Sequence, residues 1–261
     1  MAKPFASSAD TAVKKETLEI LADGVYALTA EGDPNVGAFE GEDFIVAIEA
    51  RATPAAARDW LKVLREHTQK PVKYLILTHY HAVRVLGASA FDAEHIITSE
   101  TTRKLIEERG KQDWDSEYGR MPRLFKEAEG IPGLTWPTQT FDTEFQIDLG
   151  GNRGKLDLRF EGRGHTAGDI IVWHDKTKTM FAGDLVEAEA ALYTGDAFHM
   201  EWASKTLDNL KKYRAEFIVG GRGAVAKGTA ATDAAIEQTR AFLNGMIENV
   251  GAVHKRGGTL K

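Results

Sequence analysis

The chain repeats one order of elements, several strands followed by a helix, and this order limits the folds open to it. Short runs rich in β-branched and aromatic residues, separated by Gly, Asp and Pro, are typical of antiparallel strands. In the first half these runs are GVYALTA (24–30), NVGAFEG (35–41) and DFIVAIEA (43–50). An amphipathic helix is predicted at 53–69, with Thr53 as a candidate N-cap and Pro54 in the first turn.

The second half of the chain begins again with strands and ends with helices. The strand-like runs are EFQIDLG, KLDLRFEG, DIIVWH and TMFAGDLV, and the apolar run FIVGG lies between helices predicted at about 200–214 and 229–249. Two sheets that each need helices on one face predict an α+β fold, a four-layer αββα sandwich. We expect residues 1–261 to form a single domain, with a helical insertion at about 99–136 that could cover a site.

Composition excludes several classes of protein and of site. The formal net charge of -6 argues against a general nucleic-acid interface, which needs a clustered basic excess. The chain has no cysteine, so any transition metal must be bound by histidine and carboxylate. No run approaches the roughly 18 apolar residues of a membrane span, and the first 20 residues contain no apolar signal region. A soluble cytoplasmic protein is the expectation.

Two histidines stand just past the apolar run VKYLILT (72–78). On an extended segment, residues i and i+2 project to the same side, so His79 and His81 can bind one ion while Tyr80 points elsewhere. Taken alone, two unrelated polar residues in a loop would explain this pair equally well.

Two further candidate ligands follow later strands. His165 lies in GRGHTAGD, where Gly162, Gly164 and Gly168 permit a close approach of the backbone to a ligand. Asp184 follows the apolar run of MFAGDLV, which places its carboxylate at a strand end facing the same rim. Each has an ordinary alternative, a surface histidine and a turn or N-cap carboxylate. The set of four favours a metal site.

In this order and at these separations, THYH, GHTAGD and FAGDLV resemble the motifs of the metallo-β-lactamase fold superfamily, over about residues 17–225. The resemblance implies the αββα sandwich of that type, with His79, His81 and His165 as ligands of a first metal and Asp184 as a carboxylate shared with a second. It is much less specific for substrate, because the superfamily includes β-lactamases, glyoxalase II thioesterases and lactonases.

The second metal site departs from the superfamily pattern. Val83 stands at the usual Asp position, and Arg84 and Arg222 stand where two histidines would be. None of these side chains binds a cation, so the sequence predicts one metal. We interpret the arginines as a charge substitution for the second ion, with Asp184 as a bidentate partner between them. The alternative is that both arginines are surface residues.

Three neutral imidazoles with one open position are typical of a catalytic zinc, whose bound water ionises near pH 7. One zinc ion is the expected cofactor, with iron or manganese as alternatives. The expected reaction is attack of the metal-bound hydroxide on an ester, thioester, lactone or amide carbonyl. Asp184 would hold the nucleophile, and Arg84 or Arg222 would bind a substrate carboxylate or the oxyanion. The alternative is a noncatalytic or ligand-binding member of the fold.

The expected partner is a small molecule, with no nucleic acid and no membrane involved, and the oligomeric state is open. Five residues could line the entrance and favour an anionic or aromatic substrate, although helix surface and core packing explain them equally well: Trp114, Tyr118, Arg120, Arg123 and Trp136. His199 could reach the rim, but a position at the start of a helix explains it better.

Overall fold

A seven-stranded sheet forms the first half of the molecule. The computed structural model describes residues 9–188 and 190–258, and strands β1 to β7 lie side by side in chain order. Their bounds are Thr17–Ala22, Val25–Ala30, Asp33–Glu40, Ile45–Ile48, Val72–Ile76, His95–Ser99 and Gln139–Phe141. The first four strands pair antiparallel, and β4 to β7 pair parallel. The carboxyl ends of β5 and β6 therefore meet at one edge.

A six-stranded sheet forms the second half, in the order β13-β12-β11-β10-β9-β8. The bounds of β8 to β13 are Glu144–Asp148, Lys155–Arg159, Ile171–His174, Thr179–Gly183, Phe217–Gly220 and Ala226–Lys227. All neighbours pair antiparallel except β11 and β12, which are parallel.

Six α-helical segments accompany these sheets in the described residues. They are α1 to α6, at Pro54–Arg65, Ala82–Val85, Glu100–Arg120, His199–Glu201, Leu207–Lys211 and Thr229–Lys255. A π-helical turn, Trp202–Thr206, joins α4 to α5. No helix within the described ranges is long and apolar enough to cross a membrane.

Three apolar clusters separate four layers, which confirms the αββα sandwich. The first cluster packs Trp60 and Leu64 of α1 against the outer face of the first sheet. The second fills the space between the sheets, where Phe39 of β3 meets Phe181 of β11 edge to face with ring centroids 5.4 Å apart. The third packs Trp202 and the helices α5 and α6 on the second sheet.

The N-cap of α1 was predicted correctly, and its end was placed too late. The Thr53 hydroxyl accepts a 3.1 Å hydrogen bond from the backbone N–H of Ala56, and Pro54 lies in the first turn. The helix ends at Arg65 rather than 69.

The largest differences from the predicted elements lie in half-exposed or irregular segments. Strand β1 is exposed or only half-buried along its length, so its sequence carries no clean apolar alternation. The predicted helix at 200–214 contains the π-helical turn and ends at Lys211, whereas α6 extends beyond 249 to Lys255. In the region 99–136, α3 is followed by two short 3-10 turns; that this region is an insertion remains a prediction.

Candidate metal centre

The three histidines and Asp184 meet at one end of the sandwich, just past the ends of strands. His79 and His81 follow β5, Asp184 follows β11, and His165 lies in the loop between β9 and β10. All four side chains are buried, and one ligand atom from each lies within 4.8 Å of the others. The structure therefore brings together the four residues that the sequence predicted as ligands.

The distances between these ligand atoms suit a single metal ion. Nε2 of His165 lies 2.9 Å from Nδ1 of His81, and Oδ2 of Asp184 lies 3.4 Å from Nε2 of His165 and 3.6 Å from Nε2 of His79. Metal–ligand bonds of about 2.0–2.1 Å in a tetrahedron place neighbouring ligand atoms about 3.3–3.4 Å apart. The observed distances lie on both sides of this value.

The polar atoms that converge here lack other partners. Nε2 of His79 is shielded from solvent and has no hydrogen-bond partner among the described residues. A buried polar nitrogen left in this state costs free energy, and a metal ion would remove that cost. Two imidazole nitrogens that face each other, as in His81 and His165, are likewise suited to a shared cation. These residues fit a metal.

The other ring nitrogens of two histidines are oriented by neighbours. Thr78 Oγ1 lies 2.9 Å from Nδ1 of His79, and Oδ2 of Asp196 lies 3.4 Å from Nε2 of His81. Asp196 is itself held by the hydroxyl of Tyr80 and by a 2.6 Å hydrogen bond from Nη1 of Arg109. Such outer contacts fix the ring orientation and the tautomer of a metal ligand.

Burial and neighbouring charge set the protonation of the histidines. Burial lowers the pKa of His79 well below its usual range and that of His165 to about 3, so both are neutral at pH 7, the form that binds metal. Burial also opposes protonation of His81, but Asp196 and Asp113 outweigh it and raise the pKa of this histidine. A metal ion at His81 would therefore compete with protonation of this ring, which Asp196 and Asp113 favour.

The family model of the metallo-beta-lactamase superfamily matches residues 32–222. The chain belongs to this superfamily. A metallo-beta-lactamase type 2 from Bacillus sp. (strain 170) is 25% identical over 185 residues, which cover 69% of this chain and 63% of that protein. One from Pseudomonas aeruginosa is 23% identical over 223 residues, covering 82% and 80%. The alignment thus spans less than two thirds of the Bacillus relative.

Another relative carries a different name, and solved structures support the fold. The 2,4-dinitroanisole O-demethylase subunit alpha of Nocardioides sp. (strain JS1661) is 24% identical over 166 residues, 62% of this chain and 42% of that one. A metallo-beta-lactamase from Pontibacter korlensis has a TM-score of 0.69 at 19% identity, covering 88% of this chain and 99% of that one. The chain thus combines superfamily membership with a His–His–His–Asp cluster that could hold a metal ion.

The guanidinium of Arg84 lies beside Asp184, whose position in the superfamily pattern is that of a carboxylate bound to both metals. Nη2 of Arg84 donates to Oδ1 of Asp184 and, at 2.8 Å, to the carbonyl of Gly221, while Nη1 donates to the carbonyl of Asn35 at 3.1 Å. A Cβ on Gly221 would lie 1.9 Å from Oδ1 of Asp184, so only glycine leaves room for this ion pair. Val83 is buried next to it.

The ion pair keeps Asp184 ionised in a buried position. Burial alone would raise the pKa of Asp184, but Arg84 and then His79 outweigh it and hold the pKa below its usual range. One carboxylate oxygen faces the histidines and the other faces Arg84. The residues present therefore fit a first metal, and they do not fit a second one at Oδ1.

Arg222 does not form the bidentate contact with Asp184 that the sequence interpretation proposed. Its Nη1 donates to the carbonyl of Gly32 at 2.9 Å, and its Nε lies 3.9 Å from Oε2 of Glu187. Glu187 is buried, and burial raises its pKa to about 8. The two arginines therefore lie in the same region beside different acidic residues, Arg84 beside ionised Asp184 and Arg222 beside Glu187.

The glycines near His165 serve packing. The sequence suggested that they allow a ligand to approach the backbone. A Cβ on Gly164 would lie 2.2 Å from Cδ2 of Leu185, and one on Gly168 would lie 2.7 Å from the backbone nitrogen of Thr102. These close contacts are made within the protein itself, and they hold the loop of His165 against its neighbours.

A cavity of about 450 Å³ opens onto the metal centre. Its lining includes His81, His165, Asp184 and Arg222. Two of the five predicted entrance residues also line it: Arg120 and Arg123. The guanidinium of Arg120 lies 4.6 Å from the ring centroid of Tyr193, another lining residue.

The other three predicted entrance residues have structural surroundings. Trp114 packs on the first apolar cluster, Tyr118 meets Phe125 edge to face, and Trp136 is exposed. His199 begins α4, as its position suggested.

Several residues of the site carried no sequence motif. Asp196 and Tyr193 come from an irregular loop, and Glu187 lies three residues past Asp184 in an irregular segment. Asp113 and Glu117, one turn apart on the charged helix α3, also carried no signal, because only the fold shows that both are buried.

Proposed function

We propose that the chain is a single-metal hydrolase. The supporting observation is that the two carboxylate oxygens of Asp184 have different neighbours. Oδ2 faces His79 and His165, and Oδ1 accepts from the guanidinium of Arg84. The side with three imidazoles suits one divalent cation. The side with Arg84 already carries a permanent positive charge, which would repel a second cation.

Zinc is the ion we propose, because three neutral imidazoles in a compact site suit it best, with iron or manganese as alternatives. His79, His81 and His165 would hold the ion, and Oδ2 of Asp184 lies beside them, where it can orient a water at the open position. Such an ion lowers the pKa of a water and polarises a carbonyl, which is the chemistry needed to cleave an ester, thioester, lactone or amide.

The residues of this chain have their own tasks in that reaction. Ionised Asp184 accepts a hydrogen bond from the attacking water and so orients it. Arg222 lines the cavity and donates to a protein carbonyl, and its fixed charge would stabilise an anionic oxygen of the substrate as bonds change. Arg84 is fully buried and acts on the substrate through Asp184, whose charge and position it maintains.

The cavity of about 450 Å³ suits a small molecule as substrate. The names of the relatives guide the choice of compounds: β-lactams because of the metallo-beta-lactamases, and 2,4-dinitroanisole because of the O-demethylase subunit.

We also propose a cytoplasmic location. Fractionation of cells that express the tagged chain tests this location.

The function is tested by hydrolysis before and after metal removal. Wild-type protein is assayed on generic esters, thioesters, lactones, β-lactams and 2,4-dinitroanisole, then stripped with a chelator and reloaded with zinc, iron or manganese. The proposal expects turnover that is lost on stripping and restored by one of these ions. Asp184→Asn should lower kcat at least 100-fold, and His95→Ala, a histidine at the opposite end of β6, should leave it unchanged.

A noncatalytic, ligand-binding protein is the second candidate. The same Arg84–Asp184 ion pair favours it, because Arg84 stands where the superfamily pattern has a ligand of a second metal. Activity that survives both the chelator and Asp184→Asn would contradict the hydrolase proposal. A protein that binds metal and then small molecules tightly without turning over any compound of the panel would support the second candidate.

A further inference from the structure

A second cavity, of about 410 Å³, adjoins the cavity of the metal centre. The two are bordered by several of the same residues, among them Asp33, Val83 and Arg123. Val83 occupies the position where the superfamily pattern has an Asp, so an apolar side chain stands at this shared border. The two cavities therefore form one cleft with two chambers. We call the second one the Arg51 chamber, after the buried residue in its lining.

Arg51 is a buried cation with unused hydrogen-bonding capacity. Only 8% of the residue is exposed, and it lines the chamber. Its Nη2 lies 2.9 Å from Oε1 of Glu16, while its Nε is shielded from solvent and has no hydrogen-bond partner in the described part of the chain. A buried guanidinium normally fills its donor sites, because an unpaired one loses the hydration energy of a charged group. The donors of Arg51 are therefore suited to an added acceptor.

The carboxylate that faces Arg51 is easily displaced. The side chain of Glu16 is 41% exposed, and it comes from the segment that precedes β1. Water competes for the half-exposed carboxylate of Glu16, so this carboxylate is held less firmly than one in a fully buried ion pair. An oxyanion that enters the chamber can take the place of Glu16 on the guanidinium.

The rest of the chamber favours an anion at the end of a short apolar chain. Four cationic and three acidic side chains line it: Lys14, Arg51, Arg123, Lys126, and Glu16, Asp33, Asp59. Arg123 and Lys126 are paired with Asp33 and Asp59, and Lys14 is paired with Asp10 outside the lining. Arg51 is the buried cation of this set, and its donors are incompletely used. Ala56 of the lining lies in the first turn of α1, the end of a helix that attracts negative charge, and Ala52 directly precedes the N-cap Thr53. Pro34, Val83 and Leu124 supply apolar wall.

We propose that the Arg51 chamber binds an anionic group of the substrate, a carboxylate or a phosphate, while the scissile carbonyl lies at the metal centre. This inference rests on the proposed function and names its substrate class: an ester, thioester or amide with an anionic group on a short apolar linker. Glu16 is the internal carboxylate that holds Arg51 until such a group arrives.

The binding test uses metal-free protein, so that its result does not depend on catalysis. Inorganic phosphate and glutarate are titrated by calorimetry into wild type, Arg51→Gln and Glu16→Gln. Arg51→Gln removes the charged donor and should weaken binding of both anions at least tenfold. Glu16→Gln removes the competing carboxylate and should strengthen binding of both anions about two- to fivefold. Since Glu16 is half-exposed, its variant will fold even if Arg51→Gln does not.

The control pair is Arg58 and Glu127, exposed residues 3.8 Å apart that lie outside the lining of both chambers. Arg58→Gln and Glu127→Gln change the net charge by the same amounts and should leave both affinities unchanged. His81→Ala should also leave them unchanged, which excludes binding at the histidines. Affinities that do not respond to Glu16→Gln, or that respond equally to the control pair, would overturn the proposal.

A kinetic test separates this proposal from the proposed function. Monophenyl glutarate and phenyl butanoate are compared on zinc-loaded protein, and Arg51→Gln should raise KM for the anionic ester at least tenfold with little change in kcat. If neither ester nor any compound of the wider panel is hydrolysed while the calorimetric differences appear, the hydrolase proposal fails and the anion chamber stands. If both esters are hydrolysed equally well and Arg51→Gln changes nothing, the chamber proposal fails and the hydrolase stands.

Discussion

Arg84 donates to Oδ1 of Asp184 in a buried ion pair, and the other oxygen of the same carboxylate faces the histidines. Asp184 thus contacts the fixed positive charge of Arg84 with one oxygen and faces the candidate metal site with the other. The charge substitution inferred from the sequence has a structural basis at Arg84. Arg222 lies in the same region but beside Glu187.

Removal of Arg84 should destabilise the protein most when no metal is bound. Arg84→Met leaves Asp184 as a buried carboxylate without its cation, which typically costs about 3–5 kcal/mol. Bound zinc should restore part of this loss, because it supplies another positive charge. Urea denaturation of metal-free and zinc-loaded protein measures both values. Arg58→Met, which breaks an exposed pair, should cost less than about 1 kcal/mol. Equal, small effects of the two substitutions would contradict the prediction.

Restoration of the superfamily pattern should restore a second ion. The triple variant Val83→Asp, Arg84→His, Arg222→His replaces an apolar and two cationic side chains by metal ligands and removes the guanidinium from Asp184. We expect two zinc ions per chain by elemental analysis. The control carries Arg84→Lys and Arg222→Lys, which keep the positive charge. A triple variant that still binds one ion would show that other features exclude the second.

Asp196 should act as a positioning residue for His81. Its Oδ2 lies 3.4 Å from Nε2 of His81, and the loss of an outer carboxylate typically weakens metal affinity 10- to 100-fold. Competition with a chromogenic chelator measures the zinc affinity of Asp196→Asn, and the visible spectrum of cobalt-loaded protein reports the ligand geometry. Asp175→Asn, in a surface turn, is the control. An unchanged zinc affinity and an unchanged cobalt spectrum in Asp196→Asn would contradict the role of Asp196 in positioning His81.

Glu49 should make stability fall as pH rises. Its Oε1 accepts a 3.1 Å hydrogen bond from the Thr78 backbone, and burial raises its pKa to about 7 from a usual value of 4.5. Since the folded chain holds this proton more tightly than the unfolded chain, the stabilisation is complete below about pH 4.5. It is lost progressively as pH rises through about 7.

Glu49→Gln mimics the protonated form and lacks this dependence. The stability of wild type relative to Glu49→Gln should fall by about 2 kcal/mol between pH 5.5 and 8.5. Urea denaturation at both pH values measures the difference, and exposed Glu66→Gln serves as control. A constant difference between wild type and Glu49→Gln would mean that Glu49 is ionised at both pH values.

The four ligand candidates were predictable because they follow strands that the sequence defines well. The runs before His79 and before Asp184 are strongly apolar, and strand ends at one edge of a sandwich converge. The replacement of the second-site ligands was likewise visible in Val83, Arg84 and Arg222. The four candidates needed only local pattern and order along the chain, whereas the replaced ligands were recognised through the resemblance to the superfamily pattern.

The remaining parts of the site depend on contacts between distant segments. Glu49 and Glu187 are acids next to strands, and nothing local distinguishes them from surface acids until the fold buries both. Asp196 reaches His81 from a loop 115 residues away. The Arg51 chamber is formed by α1, β3 and the residues before β1, so that only the folded chain shows the guanidinium facing a cavity.

The central claim, one metal ion beside a buried guanidinium, is tested most directly by metal content. Wild-type protein and His81→Ala are produced with zinc, iron and manganese available, and the bound metal is determined by elemental analysis. The account predicts about one ion per wild-type chain and its loss in His81→Ala. Two ions per wild-type chain would contradict the role assigned to Arg84, and no ion would contradict the metal centre itself.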